Sequence, residues 1–93
     1  MLYVVATTIL RALIPEDQAA ELIQKEMAHA RQFIEQKKIL AAYRRVGGGG
    51  SFFIVDAESN EEVHQIFSGL PLARYLEFDV TPVLLHPLFG GPA

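Results

Sequence analysis

Glu26, the adjacent pair Arg44 and Arg45, Tyr43 and Tyr75, and the run Gly47-Gly48-Gly49-Gly50 are the groups in this chain whose types and spacing can do chemistry. Glu26 lies beside the apolar stripe of a helical segment, where partial burial would raise its carboxyl pKa toward the range useful to a general base. The competing reading is a solvated helix glutamate. Arg44 and Arg45 are consecutive in an extended segment, so one faces each side of a sheet, and the inward one can hold a substrate carboxylate bidentately. An ion pair to Glu77 or Asp79 is the alternative. Tyr43 and Tyr75 can each offer a ligand a phenolic donor, or pack with the hydroxyl satisfied. Amides of Gly48, Gly49 and Gly50 can donate to an oxyanion, or the run can be a flexible turn. Glu26 and His29 share i, i+3 helical spacing, but one such pair falls short of a metal site, and neither a phosphate loop nor a dinucleotide glycine fingerprint is present. The expectation is chemistry without metal or cofactor.

The elements that must position these groups follow from pattern. Leu2 to Leu10 is rich in Val, Ile, Thr and Tyr with both alternating sets largely apolar, which predicts a strand covered on both faces. Pro15, Glu16 and Asp17 look like a first helical turn. Ala19, Leu22, Ile23, Met27, Ala30, Phe33 and Ile34 then recur at three- and four-residue steps, predicting a helix from about Glu16 to Gln36 that ends at Lys37 and Lys38. Ile39 to Val46 reads as a second strand, the glycine run as a turn or bulge, and Ser51 to Asp56 as a third strand completing a hairpin. Ser59 and Glu62 form a capping-box pattern before Val63, Ile66, Phe67 and Leu70, predicting a second helix from about Asn60 to Ser68. Leu76 to Val80 alternates as a fourth strand, extending past Pro82 toward Leu85. Residues 86–93 are too short for an element and read as an arm that docks on a neighbour. Strand-helix-strand occurs twice, which is the ferredoxin-like β-α-β-β-α-β arrangement of an α+β domain with an antiparallel sheet.

Size and composition bound the rest. Ninety-three residues make one domain, and 51% hydrophobic content is high for so small a body, so surplus apolar surface points to at least a homodimer. One sheet with helices on one face leaves its other face to a partner. A net charge of −3 with eight Lys and Arg argues against nucleic-acid binding. The chain lacks cysteine, which suits a reducing compartment, and Met1 to Ala6 makes a poor signal peptide without a basic region before it. With no apolar stretch long enough for a membrane, the expectation is a soluble cytoplasmic protein.

Tyr43-Arg44-Arg45-Val46-Gly47, Phe52-Phe53-Ile54-Val55-Asp56, Glu62-Val63-His64, Leu70-Pro71-Leu72, Tyr75 to Val80 and His86-Pro87 occur in an order and spacing that resemble the muconolactone isomerase family. The resemblance implies a ferredoxin-like protomer, dimers built sheet to sheet as a dimeric α+β barrel, and larger assemblies up to a decamer. It also implies a cofactor-free isomerase that shifts a proton and a double bond in a small carboxylated lactone or related ring. Glu26 then matches the family's acid/base glutamate and Arg44 its arginine. Two departures stand out. Gly48 and Gly49 replace a His and a Tyr of the family pattern, and Ala73-Arg74 replaces a Phe-Pro pair. These departures motivate a rival reading, a non-catalytic ligand-binding or assembly protein on the same scaffold. A monooxygenase-like α+β barrel shares the topology, but the chain offers no distinctive redox group.

Overall fold

A computed structural model describes residues 1–93. Four strands, β1 (Leu2–Ile9), β2 (Ile39–Arg44), β3 (Gly50–Asp56) and β4 (Leu76–Val83), form one antiparallel sheet in the order β2-β3-β1-β4. Two helices, α1 (Glu16–Glu35) and α2 (Asn60–Ser68), complete the β-α-β-β-α-β order expected from the sequence. The β-branched and aromatic content of β1 and β3 suits the two central strands, which pair from Leu2 opposite Asp56 to Thr8 opposite Gly50. Pro82 falls on edge strand β4, where a missing N–H costs least.

Alternation along β1 assigns the two faces of the sheet. Tyr3, Val5 and Thr7 are buried, while their neighbours Leu2, Val4, Ala6 and Thr8 are half-buried or exposed on the other side. The core lies between the buried face and α2, where Val63, Ile66 and Phe67 meet Tyr3, Val5 and Val55. The Phe67 ring sits edge-on to Phe53 at 5.3 Å and 5.9 Å from Phe78, an arrangement favoured by the ring quadrupoles. Ser59 caps α2 by accepting the Glu62 N–H at 3.1 Å.

Several boundaries differ from the sequence pattern, each for a local reason. Leu10 leads into a 3-10 turn at Arg11–Leu13, and Pro15 stands just outside α1. Lys37 takes a left-handed φ of 59°, and the N–H groups of Lys37 and Lys38 bond the carbonyls of Ile34 and Phe33, so α1 ends on a Schellman closure. Strand β2 stops at Arg44, leaving Arg45 and Val46 in the turn, and β3 begins one residue early at Gly50. Strand β4 ends at Val83 instead of Leu85. The tail holds an element after all, a 3-10 turn at Pro87–Phe89 capped by His86 Nδ1, which accepts the Leu88 N–H at 3.1 Å.

Candidate active site

A cleft of about 430 Å³ opens between α1 and the sheet. Ile23, Met27 and Ala30 line it from α1, Ile9 and Phe53 from the sheet, and Leu70, Leu72 and Leu76 from the segment after α2. This volume suits a small ring compound, and a mostly apolar wall with few polar groups is the usual make-up of such sites.

Glu26 is half-buried in the cleft wall, where its Oε1 accepts the backbone N–H of Leu72 at 3.1 Å. That bond ties the middle of α1 to the turn after α2. Burial pushes the carboxyl above its ordinary value of 4.5, against the Leu72 N–H and the nearby His29, which both pull it down. A carboxylate so placed is a stronger base than a solvated one, yet remains anchored.

Arg44 reaches the cleft because of a bulge in β2. Ile39 opposes Val55, but Ala41 opposes Ile54, so Leu40 is the extra residue. One inserted residue exchanges the faces of everything after it. Ala42 and Arg44 therefore stand opposite Phe53 and Ser51 on the cleft side, while Tyr43 opposes Phe52 on the other. Arg44 forms no ion pair with any carboxylate of the chain, Glu77 and Asp79 included.

The other candidates divide. Tyr43 belongs to the cleft rim, with 64% of its surface exposed. Arg45 lies on the opposite face, its guanidinium stacked 5.3 Å from the centre of the Phe52 ring. Gly48 and Gly49 are exposed and outside the cleft lining, and the Gly48 N–H is taken by the Arg45 carbonyl at 3.1 Å. Both have φ of +86°, so the turn needs glycine for its backbone. Tyr75 also lies outside the lining, with Arg74 stacked 5.7 Å from its ring. Glu26, Arg44 and the edge of Tyr43 are thus brought together, while Arg45, Gly48, Gly49 and Tyr75 are not.

Three polar cleft residues escaped the sequence pattern: Thr7, Arg11 and Ser51. Thr7 and Ser51 are cross-strand partners, a relation that appears only once the register of β1 and β3 is known. Arg11, in the 3-10 turn, carried no periodic signal.

The family model for muconolactone delta-isomerase matches residues 1–88. The chain is 38% identical over 74 residues to muconolactone delta-isomerase of Cupriavidus pinatubonensis, covering 80% of each sequence. It is 36% identical over 74 residues to muconolactone delta-isomerase 1 of Acinetobacter lwoffii, covering 80% of this chain and 77% of that one. Its fold superposes on the crystal structure of muconolactone isomerase with a TM-score of 0.81 at 24% identity, covering 94% of this chain and 92% of that one. The fold of 5-chloro-2-hydroxyhydroquinone dehydrochlorinase of Burkholderia phenoliruptrix is also similar, with a TM-score of 0.63 at 22% identity, covering 89% and 93%. The chain belongs to the muconolactone delta-isomerase family. Membership supports an isomerase over a non-catalytic scaffold protein.

Proposed function

We propose that this protein is a cofactor-independent isomerase that moves a proton and a ring double bond in a small carboxylated lactone of the muconolactone type. The observation that carries this reading is Glu26, a half-buried carboxylate with a raised pKa, anchored by Leu72 in an apolar cleft that also holds an unpaired arginine. Arg44 holds the substrate carboxylate, and Tyr43 closes the rim. Glu26 takes a proton from a ring carbon, and the C–H electron pair spreads through the ring double bond onto the carbonyl oxygen. The carboxylic acid so formed then returns the proton two carbons away. A single base suffices because the same carboxyl takes and returns the proton, and its half-exposed position lets the acid exchange with solvent before the return.

The same reading extends to assembly and location. The outer face of the sheet exposes Phe52 and Leu2, with Glu77 and Asp79 along β4 and Arg45 beside Phe52. A second copy packed there as a dimeric α+β barrel covers this surface and sets opposite charges near each other, and larger rings up to a decamer can grow from such dimers. Residues 86–93 serve as a docking arm, since Leu88 and Phe89 are 84% and 79% exposed. Freedom from cysteine suits catalysis in the cytoplasm.

Incubation of muconolactone-type lactones in deuterated water tests the proton transfer. The wild-type protein is expected to isomerise one of them and label its ring carbon, and Glu26→Gln to lower the rate by about 10³-fold. Absence of wild-type labelling above the buffer rate across such lactones overturns the proposal. Light scattering of Phe52→Glu tests the dimer, with the expected shift toward monomer.

A further inference from the structure

A dienolate needs a hydrogen-bond donor at its oxygen as much as it needs a base, and the cleft holds few donors that are free. The Leu72 N–H is committed to Glu26. Thr7 is buried, and its hydroxyl is committed as well: Oγ1 accepts the Ser51 N–H at 3.1 Å and donates to the Ser51 carbonyl at 3.3 Å. Tyr43 has its register partner on the opposite face. Arg11 and Arg44 carry unpaired guanidinium donors in the lining, but both are exposed, where water screens a contact to a developing oxyanion. Ser51 differs from all of these. It lines the cleft half-buried, stands opposite Arg44 on one side and Thr7 on the other, and its own hydroxyl makes no hydrogen bond within the chain. Thr7 holds the Ser51 backbone by both of its polar groups, which fixes the strand and leaves only the Ser51 hydroxyl rotor to orient.

Resting on the isomerase reading above, we propose that Ser51 is a catalytic residue, its hydroxyl donating to the lactone carbonyl oxygen as that oxygen gains negative charge. The C–H bond breaks toward Glu26, and the electron pair reaches the carbonyl oxygen. The pair then returns to the other ring carbon, which takes the proton back from Glu26. Ser51 keeps its own proton throughout, so nothing is consumed. Arg44, on the neighbouring strand across from Ser51, is left to the side-chain carboxylate, and the two contacts together orient the ring over Glu26. A donor fixed in a largely apolar cleft strengthens as charge develops, which lowers the barrier more than it tightens substrate binding.

The test is Ser51→Ala and Ser51→Thr, read by turnover and by binding of two probes. One is tetronate, a lactone enolate stable at neutral pH; the other is a saturated lactone carboxylate that carries no enolate charge. In Ser51→Ala, kcat is expected to fall about 10²-fold with KM changing less than about twofold. Tetronate should bind about tenfold more weakly, and the saturated lactone as before. Ser51→Thr, which keeps the hydroxyl, should recover most of both losses. Unchanged kcat and tetronate affinity in Ser51→Ala overturn the assignment, as does equal weakening of both probes, which would mark a general binding contact. Tetronate discrimination that depends on Ser51 in a wild-type protein without turnover would instead uphold the donor and sink the isomerase reading.

Discussion

The nine-residue helix α2 buries Val63, Ile66 and Phe67, whereas the twenty-residue helix α1 buries none of its side chains, although both cover the same face of the sheet. Length therefore does not decide which helix holds the fold together. Helix α2 lies directly on Tyr3, Val5 and Val55 and closes the core. Helix α1 is fixed at separate points: Ile14 is buried just ahead of it, Glu26 bonds Leu72 at its middle, Phe33 packs against the core, and the Schellman closure ends it. Between those points it stands off the sheet, and the space left is the cleft. One helix closes the core, and the other leaves part of its face unpacked, which opens the cleft.

Substitution on the two helices is the most direct way to break this contrast. Phe67→Ala removes a fully buried ring and is expected to cost about 4 kcal/mol in urea unfolding. Met27→Ala, in the cleft wall of α1 where the side chain is 57% exposed, should cost less than about 1 kcal/mol while weakening substrate binding. Comparable losses at the two positions would show that α1 is packed as firmly as α2 in solution.

The glycine run sharpens the same distinction at the end of the sheet beside the cleft. A Cβ on Gly50 would lie 1.9 Å from the Thr7 carbonyl oxygen, so Gly50→Ala must push β1 and β3 apart next to Ser51. An unfolding cost of about 3 kcal/mol is expected, with loss of activity from the displaced Ser51. Gly48→Ala meets nothing within 4 Å and strains only the +86° φ, for about 1 kcal/mol and little change in activity. A smaller, opposite effect is expected at Lys37→Gly, where relief of the left-handed φ of 59° at the α1 terminus, partly offset by the entropy glycine loses on folding, should raise the unfolding free energy by about 0.5 kcal/mol.

What the sequence disclosed follows the same division. Helix α2, with its Ser59 cap and close apolar spacing, was legible to the residue because local signals and burial agree there. The strands were legible from alternation, and the β-α-β-β-α-β arrangement from the doubled strand-helix-strand pattern. Glu26 was legible as a position beside an apolar stripe, but its Leu72 anchor joins residues 46 apart and leaves no local trace. Sequence alternation does separate Arg44 from Arg45, yet the bulge at Leu40 decides which of them meets the cleft, and a bulge without Gly or Pro has no clear signature. Gly48 and Gly49 drew notice as possible donors, whereas their left-handed backbone and outward placement make them a turn. Ser51 and Thr7 are common strand residues whose roles arise from register alone.

The contrast between the helices also has a titratable form. Glu26 is held above its ordinary pKa of 4.5 chiefly because α1 carries it into a partly dry wall. The folded protein therefore holds this proton more tightly than the unfolded chain does. Its contribution to stability is fully present below about pH 4.5 and is lost as pH rises through the elevated folded value. At neutral pH the ionised carboxylate is a net cost to stability, and Glu26→Gln, which keeps an oxygen for the Leu72 N–H, should be slightly more stable than the wild type there. Below pH 4.5 the advantage should disappear. Activity runs the other way: the base must be ionised, so kcat/KM of the wild type should fall as pH drops through the same elevated pKa, above 4.5. Thermal melts of both proteins across this range, set beside the pH profile of turnover, check the two limbs together. A stability crossover and a rate inflection at the same pH tie both to one carboxyl, whereas a rate inflection at 4.5 or below would place Glu26 in a wetter wall than the α1 cleft provides.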